Sequence, residues 1–95
     1  MLLEACLLLL LNKASADVEL LMQGMAEFGR AVTSRRTAGA LGALTRSGLV
    51  RPLPAAPERY ELTAAGRAEL HQCAESLTNL RLVIEEFLSR WRRAG

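Results

Sequence analysis

Ninety-five residues, half of them apolar and only 4% aromatic, allow one domain with one modest core, built from Leu, Ala and Val in helices rather than from large sheets. The formal charge of +2 is unevenly spread. Residues 1–29 carry Lys13 against Glu4, Asp17, Glu19 and Glu27, whereas residues 30–59 carry Arg30, Arg35, Arg36, Arg46, Arg51 and Arg59 against Glu58 alone. Residues 60–95 balance. A middle third that is basic through arginine alone points to an anionic partner, because guanidinium pairs bidentately with phosphate and guanine.

The chain opens on an apolar run, Ala5 to Leu11. It is far shorter than the roughly 20 residues of a spanning helix, and Glu4 stands where a signal peptide carries Lys or Arg. The expectation is a helix over Leu2 to Leu11, buried on most sides, and no membrane segment. After a polar break at residues 12–15, Ser15 or Asp17 caps a second, amphipathic helix. Its apolar positions Val18, Leu21, Met22, Met25 and Phe28 recur at three- and four-residue steps, and it stops near Gly29. Thr33 or Ser34 starts a third helix with Ala38, Leu41, Leu44 and Thr45 facing inward. Arg36, Gly39, Ala43, Arg46 and Ser47 face outward, with Arg35 at the edge, and Gly48 ends the helix.

Leu49 to Arg51 reads as a short strand. Pro52, Pro54 and Pro57 confine the next stretch to a loop, and Arg59 to Leu62 returns as a second strand. Thr63 caps a final helix over about Ala64 to Arg93. In it Leu70, Cys73, Leu77, Leu80, Ile84, Phe87 and Trp91 fall at alternating steps of three and four, a heptad stripe. A helix about 45 Å long outreaches what three short helices can cover, so part of the stripe is expected to pack on a second copy, helped by the first helix through Leu3, Leu7 and Leu10.

The order helix, helix, helix, hairpin, long helix is that of a mainly α, winged helix-turn-helix fold with a two-stranded wing and a C-terminal dimerisation helix. Residues 1–63 form the winged domain and residues 64–95 the dimerisation helix of the same compact unit. The segment from Val32 to Val50, with Leu41 and Leu44 at Leu-x-x-Leu spacing and the closing Gly48-Leu49-Val50, resembles the recognition-helix region of the PadR family of bacterial transcriptional regulators. Arg59 to Arg67 is similar to that family's second wing strand running into its last helix, and the Leu-rich opening also fits. Departures are Ala38 where the family has Tyr, Gly39 where it has a basic or polar residue, and a short wing studded with proline. The resemblance implies a cytoplasmic homodimeric repressor binding double-stranded DNA at a pseudo-palindromic operator.

On that reading Ser34, Arg35, Arg36, Gly39 and Ala43 approach the bases, while Arg46, Arg51 and Arg59 hold backbone phosphate. The alternative for each arginine is an ordinary solvated surface position. The resemblance also implies an aromatic-lined cavity at the dimer interface for a small planar effector, with Leu77 at the place of a stacking aromatic in some relatives. Trp91 is expected to anchor the dimer. Ala38, Gly39, Gly42 and the shortened wing suit a second reading, a protein–protein interaction module that no longer reads DNA. Cys6 and Cys73 are expected to be reduced core residues, with a redox switch as the alternative. His71 stands alone beside the stripe. With no phosphate loop, nucleophile–base pair or ligand spacing, no enzyme activity, cofactor or metal is expected.

Overall fold

The computed structural model describes residues 2–95. Four helices, α1 (Leu2–Lys13), α2 (Val18–Glu27), α3 (Ser34–Arg46) and α4 (Ala64–Ala94), surround a hairpin of β1 (Val50–Pro52) and β2 (Tyr60–Leu62) inserted between α3 and α4. The chain is thus mainly helical, with a two-stranded antiparallel hairpin and a long C-terminal helix. Among the described residues no helix is long and apolar enough to cross a membrane.

Local chemistry sets the helix limits. Asp17 Oδ1 accepts from Leu20 N at 2.9 Å, Thr33 Oγ1 from Arg36 N at 3.2 Å, and Thr63 Oγ1 from Gly66 N at 3.0 Å. Each side chain satisfies an amide that the first turn leaves without an intrahelical acceptor. Two helices end in the same way. Gly29 and Gly48 take φ values of +77° and +76°, and each closes a Schellman motif. Gly29 N donates to Ala26 O and Arg30 N to Met25 O. Gly48 N donates to Thr45 O and Leu49 N to Leu44 O.

The core gathers Leu7, Leu8 and Leu11 of α1, Leu21 and Met25 of α2, Leu41 and Leu44 of α3, and Val50 and Leu62 of the hairpin. One expectation needs correcting. In α3 the inward residue is Thr37, fully buried, and Ala38 is exposed. Thr37, Leu41 and Leu44 share one face, and the buried hydroxyl donates to Thr33 O at 3.0 Å, so its burial leaves no unmet polar group. In α1 the expected burial on most sides is met except at one strip, where Leu2 and Leu9 are about half exposed.

The hairpin pairs Val50 with Leu62, Arg51 with Glu61 and Pro52 with Tyr60. Ala16 adds a bridge on the other edge of β2, with Ala16 N donating to Tyr60 O at 3.1 Å and Tyr60 N to Ala16 O at 2.8 Å. A two-stranded hairpin is marginal in water. Here it is tied to the α1–α2 connection on one side and to α4 on the other.

The start of α4 is wedged against the end of α3. Thr63 N donates to Leu49 O at 3.0 Å, and the Thr63 hydroxyl donates to Gly48 O at 2.7 Å. Gly66 is buried one turn later, where an added Cβ would run into the Leu49 carbonyl oxygen and come within 2.7 Å of Leu62 Cδ1. Beyond Ser76, α4 leaves the body and gives the molecule its 57 Å long axis against 26 and 20 Å.

Gly66→Ala should therefore lower unfolding stability by about 3 kcal/mol, the upper part of the range for overpacking. Gly39→Ala, with nothing within 4 Å of the new carbon, should raise it by about 1 kcal/mol through helix propensity. Urea unfolding midpoints of the two variants check both signs.

Candidate nucleic-acid interface

Arg35 and Arg36 occupy the first turn of α3, just after the Thr33 cap, and both are exposed. Ser34, Ala38, Gly39 and Arg46 are exposed on the same helix, while Ala43 is half-buried. Gly39 has open space around it, so a backbone-height depression lies between arginines at the two ends of the helix. Arg46 leans back toward Gly42, its Nη1 lying 3.5 Å from where a Cβ there would be. Among the described residues no ion pair engages Arg35, Arg36 or Arg46.

The hairpin arginines behave differently. Arg59 is half-buried, and its Nη2 donates to the Ser15 carbonyl at 2.7 Å while Nε lies 3.4 Å from Ser15 Oγ. Its guanidinium therefore ties β2 to the end of α1 instead of pointing to a phosphate. Arg51 pairs across the hairpin with Glu61. The expectation that Arg59 holds a nucleic-acid backbone is corrected, because its donors serve the fold, whereas Arg51 engages only Nε and its side chain stays 67% exposed. The hairpin tip is closed by Leu53 N donating to Arg59 O at 2.9 Å and Arg59 N donating to Ala56 O at 2.9 Å. Glu58 is its only charged residue between Arg51 and Arg59. A further arginine passed over in assigning the interface, Arg30, is exposed in the α2–α3 turn. The signal for it was present, since the acid-free stretch begins there and not at Thr33.

The stripe expected to meet a second copy divides in two. Leu7 lies wholly within the protomer core, so its assignment to an interface is corrected: the inner face of α1 points to Leu41 and Leu44, not outward. Leu10 is turned against Gly24 of α2, and Leu3 and Leu70 pack on the protomer's own core. Cys73 is half-buried. From Leu77 onward the stripe is bare. Leu77, Leu80, Ile84, Phe87 and Trp91 are all exposed, the two aromatics by about two thirds. On α1 the outward leucines are Leu2 and Leu9.

A cleft of about 380 Å³ opens between α1 and α4, lined by Leu2, Ala5, Glu69, Gln72, Cys73, Ser76 and Leu77. No aromatic side chain lines it. Burial pushes the Cys73 thiol up from its ordinary pKa, with the nearby Glu69 carboxylate second and Glu4 last. The thiol donates to Glu69 Oε2 at 3.8 Å. A protonated thiol is a poor nucleophile. Among the described residues no group of His, Cys, Asp and Glu is placed to hold a metal ion.

Neither a protein-family model nor a curated protein matches the chain.

The two classes of arginine separate experimentally. Arg59→Ala should cost about 2 kcal/mol of unfolding stability, because it removes a charged donor from a half-buried carbonyl. Arg35→Ala and Arg36→Ala should each stay within about 0.5 kcal/mol, as exposed positions without partners do. Thermal or urea unfolding of the three variants decides the point.

Proposed function

We propose that the protein is a DNA-binding transcriptional regulator, a repressor of the winged helix-turn-helix kind that acts as a homodimer in the bacterial cytoplasm. In this reading α2 and α3 are the helix-turn-helix pair, α3 lies in the major groove, and the β1–β2 hairpin is a wing that braces the domain. The observation that carries the reading is the pair Arg35 and Arg36. Both are exposed and without ion-pair partners at the leading end of α3, the part of a recognition helix that meets base edges. Gly39 behind them removes the side chain that would hold the helix axis away from the groove. The bare stripe from Leu77 to Trp91 supplies the surface for a second copy.

A second reading rests on the same helix. Ala38, Gly39 and the half-buried Ala43 leave α3 smooth, a surface that also suits close packing against another protein. In that reading the chain is an interaction module without DNA-reading capacity.

Fluorescence anisotropy with a random-sequence duplex across a salt series separates them. With Arg35, Arg36 and Arg46 of each protomer on phosphates, the dimer should bind with Kd of roughly 10⁻⁴–10⁻⁶ M and a log–log salt slope of about −5. Replacing Arg35 and Arg36 together by Ala should flatten the slope to about −2 and leave the dimer mass unchanged by light scattering. Absence of binding at low salt by an intact dimer selects the interaction module.

A further inference from the structure

The two Schellman motifs differ at the residue that follows the glycine. After α3 this residue is Leu49, whose N–H donates to Leu44 O and whose side chain belongs to the apolar set packed against the core. That apolar contact is the usual companion of the motif. After α2 the same position holds Arg30, exposed to solvent, although its backbone is fixed just as firmly by the bond from Arg30 N to Met25 O at 3.1 Å. Phe28, the C-cap of α2, is 47% exposed in the same turn. Among the described residues Arg30 makes no ion pair, even with its neighbour Glu27, and about half of the Phe28 side chain faces solvent. A cation and an aromatic therefore stand on rigid backbone three to five residues before the cap of α3.

We propose that this α2–α3 turn is a second contact with duplex DNA, in which Arg30 grips a backbone phosphate and Phe28 lies against the adjoining deoxyribose. The inference rests on the reading of α3 as the DNA-facing helix and extends its footprint. Arg30 precedes the Thr33 cap by three residues, at most about 11 Å of chain, so its guanidinium and those of Arg35 and Arg36 fall within reach of neighbouring phosphates. Charge complementarity names the occupant, since from Phe28 to Pro57 the chain holds five arginines and no acidic residue: Arg30, Arg35, Arg36, Arg46 and Arg51. Because the turn is held by backbone bonds, little ordering entropy opposes the contact. An exposed phenyl beside a cation suits a sugar edge, which is apolar, and is sequence-blind like the phosphate grip.

The test uses the full chain with Arg30→Gln, Phe28→Ser and, as a charge-matched control at the far end of α4, Arg92→Gln. Affinity for a random-sequence duplex is measured by anisotropy over a salt series, and dimer mass by light scattering. With Arg30 of each protomer also on a phosphate the parent slope becomes about −7, and Arg30→Gln should weaken binding by about an order of magnitude near 0.1 M salt and bring the slope back to about −5. Phe28→Ser should weaken binding severalfold with the slope unchanged, since an apolar contact releases no counterions. Arg92→Gln should match the parent chain. If the parent binds and the Arg35/Arg36 double variant shows a flattened slope, yet Arg30→Gln keeps the parent slope, the turn contact is overturned while the α3 reading stands. If the parent chain itself fails to bind at low salt, both fall.

Discussion

The orientation of everything outside the core depends on one close approach, that of Gly66 to the carbonyl of Leu49. Around it the end of α3, the start of β1, the end of β2 and the first turn of α4 meet within a few residues. Thr63 holds the joint from both directions, accepting from Gly66 N and donating to the Gly48 carbonyl. No side chain fits between the two backbones at Gly66. The joint therefore fixes the angle between α3, which presents the free arginines, and α4, which presents the bare apolar stripe. Neither surface needs the other for its chemistry, yet their relative direction follows from this contact.

A second constraint divides the arginines by what surrounds them. β2 runs beside the α1–α2 connection through the Ala16–Tyr60 bridge, which places the Arg59 side chain next to the Ser15 carbonyl. A half-buried carbonyl in the connection between α1 and α2 needs a donor, and a guanidinium supplies it. Arg51 sits opposite Glu61 and is neutralised across the strand pair. Arg30, Arg35, Arg36 and Arg46 have no comparable neighbours, because the stretch around them contains no acid. The positive potential thus collects at α3 and the turn before it, and the hairpin serves as scaffold.

What the amino-acid sequence made legible was chiefly local. Asp17, Thr33, Thr63, Gly29 and Gly48 mark helix ends through hydrogen bonds and φ values that depend on a few adjacent residues, and they stand where the pattern puts them. The heptad spacing of α4 is equally local, so its unpartnered half was readable as a periodicity. Features that depend on distant segments were not. Thr37 in place of Ala38 on the inner face of α3 reflects a turn of the helix by less than half of the roughly 100° residue step, with Leu41 and Leu44 still inward, and the packing of α1 and α2 decides it. Leu7 and Leu9 are chemically identical, and only the docking of α1 distinguishes the buried one from the exposed one. Arg59 looked like Arg35 because its partner is a carbonyl 44 residues earlier, invisible to any pattern within the strand.

The long helix also acts as a lever. Its 31 residues span about 46 Å, held against the body over its first turns, from Gly66 to about Ser76. Tilting α4 by about 10° at Gly66 moves its far end by about 7 Å. In a dimer joined through the far half of α4, the separation of the two α3 helices is therefore geared to the fit at a single glycine, and small changes in the α1–α4 cleft beside that pivot are magnified at the far end.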